Sequence, residues 1–104
     1  MAEYVKVASV ADIPESTLKG FEIGPHRFVI VHAAGGFYAV VDECTHESVP
    51  LSEGEISDGQ LVCRAHGARF DPKSGAVTAP PAVVPVETLE VKVEGDSIYV
   101  ALED

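Results

Sequence analysis

The stretch Cys63-Arg64-Ala65-His66-Gly67-Ala68-Arg69-Phe70-Asp71, together with the shorter Cys44-Thr45-His46 before it, decides how this chain is organised. The two clusters contain both cysteines of the protein and two of its four histidines. As a pattern they read C-x-H, sixteen intervening residues, then C-x-x-H. Each cluster offers one thiolate and one imidazole, and paired mixed ligands at this spacing suggest a metal site.

The distribution of cysteines and histidines between the two clusters indicates the kind of metal site. A structural zinc site more often groups its cysteines in one knuckle and its histidines at helical spacing. Here each cluster contributes one of each, as a [2Fe-2S] centre with two cysteines on one iron and two histidines on the other requires. Three other interpretations stay open at this point: a disulfide between Cys44 and Cys63, a zinc knuckle, and unrelated buried residues.

The residues around the second cluster resemble the Rieske family. Cys63 opens the string C-R-A-H-G-A-R-F-D, and Pro80-Pro81 follow about where Rieske proteins carry a proline loop over the cluster. The resemblance extends over roughly residues 28 to 102. It implies one [2Fe-2S] cluster, with the metal ligands Cys44, His46, Cys63 and His66.

Two departures from the high-potential Rieske proteins of respiratory complexes narrow the resemblance. Ala68 and Phe70 stand where those proteins carry a serine and a tyrosine, so two hydroxyl donors are missing, and Val49 and Ala65 stand where they carry an extra disulfide. Histidine ligation moves the potential from about −400 mV toward roughly −150 to +300 mV, and hydrogen bonds to the sulfurs stabilise the reduced form. The resemblance is therefore to the low-potential Rieske-type ferredoxins of bacterial ring-hydroxylating oxygenase systems.

This resemblance implies an electron-transfer component and not an enzyme. A soluble one-electron carrier of this kind takes electrons from a flavoprotein ferredoxin reductase and passes them to a terminal oxygenase through transient contacts. The alternative is the small Rieske subunit of an assimilatory nitrite reductase complex. At 104 residues we expect no complete oxygenase, because its large component needs a second domain with a mononuclear iron.

Length and composition predict one globular domain, residues 1–104. The hydrophobic content of 46% and the charged content of 23% are ordinary for such a domain. The N-terminus shows no long apolar segment, and two cysteines without an export signal predict a reducing, cytoplasmic location. The apolar runs are too short to span a bilayer. We also expect a monomer, the simplest state for a small carrier that exchanges partners.

The charge of the chain predicts the kind of partner. Seventeen acids against seven bases give a net charge of −10, which makes nucleic acid and an anionic membrane improbable as partners. Between Asp42 and Asp58 there is no lysine or arginine. The acids of this stretch are Asp42, Glu43, Glu47, Glu53, Glu55 and Asp58. We expect an anionic first loop that docks on a basic face, although acidity also serves solubility alone.

Alternating and β-branched residues predict an all-β fold. The resemblance implies its architecture, a Rieske-like antiparallel β-sandwich base with an inserted cluster-binding subdomain at about residues 43–81. Strands are predicted at residues 4–8, 18–23, 27–33, 37–42, 61–63, 89–93 and 98–102. The last two should form a hairpin with one buried face. Residues 76–86 contain three prolines and should form a stiff cover rather than a central strand.

The other two histidines, His26 and His32, are predicted to be structural or solvated, because neither belongs to a motif. The chain has no phosphate-binding glycine loop, no nucleophile elbow and no H-E-x-x-H sequence. No chemistry other than that of the two clusters is indicated.

Overall fold

The computed structural model describes residues 2–33, 35–43, 49–64, 67–80 and 84–103. This part of the chain consists of antiparallel strands, connecting turns and two single-turn 3₁₀ helices, Val10–Asp12 and Leu51–Glu53. The strands are β1 (Ala2–Ser9), β2 (Thr17–Ile23), β3 (His26–Ala33), β4 (Gly36–Val41), β5 (Glu55–Ser57), β6 (Gln60–Val62), β7 (Arg69–Phe70), β8 (Val77–Ala79), β9 (Thr88–Leu89), β10 (Val91–Glu94) and β11 (Ser97–Glu103). The predicted all-β fold is confirmed.

The strands form three sheets, two of which make the base. One base sheet has the order β1-β11-β10 and the other β2-β3-β4-β9. The third sheet, β5-β6-β7-β8, is built from the chain between β4 and β9, two strands that pair with each other. In chain order the third sheet is thus an insert into the base, as the sequence predicts.

Strand β3 is buried on both faces and holds the insert to the base. Its residues are apolar without alternation, and successive side chains of a strand point to opposite faces. Phe28 and Ile30 belong to a sandwich core between the base sheets, whereas Val29 and Val31 belong to an insert core beneath the third sheet. The sandwich core consists of Ala8, Ile13, Phe28, Ile30, Ala39, Ile98, Val100 and Leu102. The insert core consists of Val29, Val31, Ala33, Val40, Leu51, Leu61, Cys63, Ala68, Phe70 and Val86.

The C-terminal hairpin is confirmed in part. Strands β10 and β11 pair, and β11 buries its alternate apolar residues as predicted. However, Val93 is 43% exposed, and Leu89 lies in β9, where it pairs with Ala39 of β4 in the other base sheet. Leu89 and Val91 both pack against the sandwich core, as predicted. The prediction of one buried face is wrong for Val93, and the run 89–93 is divided between two sheets.

The hairpin of β5 and β6 is a feature that the sequence interpretation missed. Its turn is Asp58-Gly59, and both residues have positive φ, 53° and 75°. An Asp-Gly pair with positive φ at both positions is typical of the type I′ turn that joins two strands. The signal was present, but strands of three residues are too short to show alternation. Within the described residues, no helix has the length and apolar character needed to cross a membrane.

Candidate metal centre

Of the four predicted ligands, Cys63 lies in the described part of the chain. Cys44, His46 and His66 lie outside the described residues, as does Ala65. The structure therefore describes the predicted site at Cys63 and at the segments where the ligand-bearing loops leave the sheets. The two ligand-bearing loops and the proline-bearing segment can each be followed to their bases.

The second ligand loop leaves the insert at the end of β6. Cys63 is the first residue after this strand and is fully buried in the insert core. Its backbone N–H donates a hydrogen bond of 2.8 Å to the carbonyl oxygen of Ala68. Gly67, just before Ala68, has a φ of 72°, a conformation that favours glycine. The loop is thus closed at its base, and the prediction that it follows a strand is confirmed.

The first ligand loop leaves the base at the end of β4. The N–H of Val41 donates to the carbonyl oxygen of Glu87 at 2.9 Å, and the N–H of Asp42 donates to that of Arg27 at 3.0 Å. The carboxylate of Asp42 accepts two hydrogen bonds of 2.8 Å from Ser52, one from its backbone N–H and one from its hydroxyl. Residues 42 and 52 lie on either side of the segment containing Cys44 and His46, so this loop is also closed at its base.

The proline-bearing segment is anchored in the same way. Strand β8 pairs with β7 at the edge of the insert sheet, and Pro80 beyond it is exposed, whereas Pro81 lies outside the described residues. Where the chain returns, the N–H of Val86 donates to the carbonyl oxygen of Gly75 at 2.9 Å. The segment is attached at both ends, and three of its residues form an edge strand that was not predicted. The stiff cover stays a prediction, since residues 81–83 lie outside the described part of the chain.

The two positions that distinguish this chain from high-potential relatives lie in the insert core. Ala68 and Phe70 are both fully buried, and Val49 packs against the same core. A hydroxyl at either buried position would need a hydrogen-bond partner. The chain instead presents a methyl group and a phenyl ring there, so these side chains offer no hydrogen bond to a cluster.

The surface beside Cys63 is more balanced in charge than the sequence indicates. A cleft of about 320 Å³ is lined by Cys63, Gly54, Glu55 and the pair Glu53 and Arg64. Arg64 Nε donates to Glu53 Oε1 at 2.5 Å, and both side chains are about half exposed. Arg64 of the second loop therefore offsets one acid of the Asp42–Asp58 stretch, and Asp42 itself is buried. The remaining described acids, Glu43, Glu55 and Asp58, are exposed.

The two other histidines have surroundings that fit the predicted structural role. His32 Nδ1 lies 2.7 Å from the carbonyl oxygen of Ile13, and its ring stacks on Phe37 with 4.0 Å between the ring centroids. Its Nε2 lies 3.2 Å from a carboxylate oxygen of Glu15. His26 is half-buried at the start of β3. Both belong to the base and not to the insert.

The donor chemistry in the described part fits a metal centre. Cys63 combines a buried thiol, a closed loop and a position on a cleft, which is the setting of a preorganised ligand. Among the described residues no three histidine, cysteine, aspartate or glutamate side chains form a group that could hold a metal ion. The other predicted donors, Cys44, His46 and His66, lie outside the described residues.

Comparison with known proteins assigns the family. Residues 3–90 match the Rieske [2Fe-2S] domain family. The chain is 38% identical over 98 residues to the ferredoxin component of biphenyl 2,3-dioxygenase from Rhodococcus jostii (strain RHA1), covering 94% of this chain and 92% of that protein. It is 35% identical over 102 residues to the ferredoxin component of the alkene monooxygenase system from Xanthobacter autotrophicus (strain ATCC BAA-1158 / Py2), covering 97% and 83%.

A solved structure agrees with these relatives. A chain from the complex of reduced oxygenase and oxidised ferredoxin in carbazole 1,9a-dioxygenase superposes with a TM-score of 0.87 at 30% identity, covering 94% of this chain and 92% of that chain. The predicted fold, the single [2Fe-2S] cluster and a function in electron transfer rather than catalysis are thereby confirmed. The chain belongs to the Rieske [2Fe-2S] domain family.

Proposed function

We propose that this protein is the ferredoxin of an oxygenase system, receiving single electrons from a flavoprotein reductase and delivering them to a terminal oxygenase. The proposal assigns Cys44 and Cys63 to one iron and His46 and His66 to the other. When bound, the cluster supplies reversible one-electron chemistry. The chain's own part is to hold the four ligands, exclude water from the sulfurs and present the histidine edges to a partner.

The observation that carries the ligand assignment is the position of Cys63. It is buried at the end of β6 on a loop that the Cys63–Ala68 hydrogen bond closes. The first loop leaves the end of β4 and is closed by Asp42 and Ser52. Two closed loops attached to adjacent sheets supply one cysteine and one histidine each, which is the two-plus-two donor set of a Rieske centre. In this proposal residues 43–81 form the cluster-binding part of a single domain, 1–104.

A low reduction potential is supported by the insert core. Ala68 and Phe70 are fully buried and have no hydroxyl to donate to the cluster sulfurs. Hydrogen bonds to the sulfurs stabilise the reduced, more negative state, so their absence lowers the potential. This chain therefore belongs at the low end of the range of histidine-ligated clusters, where a flavin reductase remains a suitable donor and an oxygenase a suitable acceptor.

The partners are supported by relatives and by charge. The biphenyl and alkene relatives are components of a dioxygenase and a monooxygenase system, and the solved neighbour comes from an oxygenase complex. A net charge of −10 and the exposed acids Glu43, Glu55 and Asp58 favour basic docking faces. Complementary charge speeds encounter more than it tightens binding, which suits transient contacts of a monomeric carrier in the cytoplasm.

Turnover between two partners tests this function. The purified protein is mixed with a flavoprotein ferredoxin reductase, NADH and a ring-hydroxylating oxygenase of the biphenyl type, and product formation is followed. We expect product only when the ferredoxin is present, and loss of it in Cys63→Ser, whose thiolate ligand is gone. Reduction without any transfer to such oxygenases, with stable co-purification of a sirohaem enzyme, would instead identify the nitrite reductase subunit.

A further inference from the structure

The buried carboxylate of Asp42 is unusual among the acids of this chain. Asp42 is 9% exposed and is the one charged residue among the described residues that is buried. Burying a charged group is unfavourable unless hydrogen bonds replace its hydration. The buried carboxylate of Asp42 therefore needs hydrogen-bond donors, and Ser52 supplies them.

Both oxygens of this carboxylate are used by a single residue. Oδ1 accepts from the backbone N–H of Ser52 and Oδ2 from its hydroxyl, each at 2.8 Å. Hydrogen bonds to a charged acceptor are stronger than those between neutral groups. Ser52 lies in the 3₁₀ helix Leu51–Glu53, whose first residue is fully buried in the insert core. The Asp42–Ser52 clasp therefore joins the end of β4 in the base to the start of the insert.

Strand β2 packs closely against the Asp42–Ser52 clasp. Gly20 of β2 packs so closely that a Cβ atom at this position would lie 2.7 Å from Ser52 Cβ and 3.4 Å from Asp42 Oδ2. The backbone of Asp42 is held independently through its N–H bond to Arg27. The clasp is thus packed against β2, and the backbone of Asp42 is tied to β3.

We propose that Asp42 is a positioning residue for the cluster, acting through the clasp with Ser52 and through its buried negative charge. This inference rests on the proposed ligand assignment. Residues 43–51, which include Cys44 and His46, lie between the two halves of the clasp, so its loss removes the side-chain link across the base of this segment. Asp42 and Cys44 are two residues apart, which limits their Cα separation to about 7.6 Å. A negative charge beside the ligand loop disfavours the reduced cluster, because reduction adds a further negative charge.

The two roles are separated by a set of variants in the full-length protein. Asp42→Asn keeps the shape and an acceptor for the Ser52 N–H but removes the charge, so the midpoint potential should rise while the cluster is released to a chelator at nearly the wild-type rate. Asp42→Ala leaves the Ser52 N–H without its acceptor and should release the cluster several-fold faster. Gly20→Ala displaces Ser52 without changing any charge and should also accelerate release.

The matched control is Asp58→Asn, which removes the same charge at an exposed position. Asp58 has a φ of 53°, a conformation that asparagine also tolerates. The midpoint potential of the Asp58→Asn variant should stay close to that of the wild type. Equal potential shifts in Asp42→Asn and Asp58→Asn would overturn the electrostatic role, and unchanged cluster release in Asp42→Ala and Gly20→Ala would overturn the positioning role.

Hydrogen exchange of the protein as purified, with whatever cofactor it holds, separates this inference from the proposed function. The Ser52 amide should be protected in the wild type and lose protection in Asp42→Ala. An unprotected Ser52 amide in the wild type would overturn the clasp whatever the cofactor. A wild-type protein without a [2Fe-2S] spectrum would overturn the ligand assignment and the cluster-positioning role, while Ser52 protection would still report on the clasp.

Discussion

The backbone N–H of Cys63 donates a hydrogen bond of 2.8 Å to the carbonyl oxygen of Ala68, and this bond closes the second ligand loop at its base. Because Ala68 is itself fully buried in the insert core, the bond attaches the loop to that core. The Asp42–Ser52 clasp and the Gly75–Val86 bond attach the other two segments near the site in the same manner. Loop ends fixed by the sheets reduce the conformational entropy lost when the cluster binds.

The Gly75–Val86 attachment should be sensitive to a single methyl group. Gly75 has a φ of 79°, and a Cβ atom there would lie 2.1 Å from the carbonyl oxygen of Val86. Gly75→Ala should lower the free energy of unfolding by roughly 2–4 kcal/mol, combining the cost of positive φ with a backbone displacement.

Gly95→Ala is the matched control for this effect, measured by chemical denaturation. Gly95 also has positive φ, 58°, but a Cβ atom there would have nothing within 4 Å. Gly95→Ala should lower the free energy of unfolding by only about 1–2 kcal/mol, the cost of the positive φ alone. Equal losses in the two variants would show that the contact with Val86 contributes nothing.

Adding hydroxyls to the insert core should raise the reduction potential. Ala68→Ser combined with Phe70→Tyr introduces two donors at fully buried positions next to the second ligand loop. Donors that reach the cluster sulfurs stabilise the reduced state, so the midpoint potential in protein-film voltammetry should move upward. Phe28→Tyr is the control, since Phe28 is equally buried in the sandwich core. An unchanged voltammogram in the double variant would remove the missing hydroxyls as the reason for a low potential.

Charge changes at the Glu53–Arg64 pair should alter encounter rates and leave stability almost unchanged. An exposed pair contributes at most about 1 kcal/mol to folding. With a basic docking face on the partner, Arg64→Gln should raise the association rate and Glu53→Gln should lower it, and both effects should shrink as salt screens the charges. The measurement is stopped-flow electron transfer at two ionic strengths, with Glu94→Gln on β10 as the control. Identical rates for the two variants at low salt would exclude docking through this surface.

His32 should matter for stability and not for redox chemistry. His32→Ala removes the hydrogen bond to Ile13 and the stacking on Phe37, so the free energy of unfolding should fall by roughly 1–3 kcal/mol. The visible spectrum and midpoint potential of the folded protein should be unchanged, because the residue lies in the base. A changed cluster spectrum would contradict the structural assignment of His32.

Much of the base could be predicted because its signals are local. The β-branched run from Arg27 to Ala33, with Gly24-Pro25 before it and glycines after it, is enough to define β3 and its neighbours. Strands of two or three residues carry too little pattern, so β5 and β8 were missed. Leu89 and Val91 lie in different sheets because Leu89 pairs with β4 and Val91 pairs with β11. The alternation of apolar residues does not predict which strand each of them pairs with.

At the candidate site too, the ligand residues could be predicted from the local sequence, whereas contacts between distant residues could not. The predicted ligand set follows from residue types and spacing, which the sequence displays directly. By contrast, Asp42 was interpreted as one of six acids of an anionic loop, and the structure buries it against Ser52. Arg64 was likewise outside the Asp42–Asp58 stretch in sequence yet pairs with Glu53. The first relationship joins the base to the insert and the second joins two parts of the insert. Both depend on contacts made in the folded chain, which no local sequence pattern predicts.

The central claim, a [2Fe-2S] cluster held by two cysteines and two histidines, is tested most directly by pulsed EPR of the reduced protein carrying ¹⁵N-labelled histidine. The predicted result is coupling of the cluster spin to two histidine nitrogens, with one of the two couplings absent from each of His46→Cys and His66→Cys. A reduced cluster without histidine coupling, or a colourless protein that contains zinc and no acid-labile sulfide, would contradict the claim.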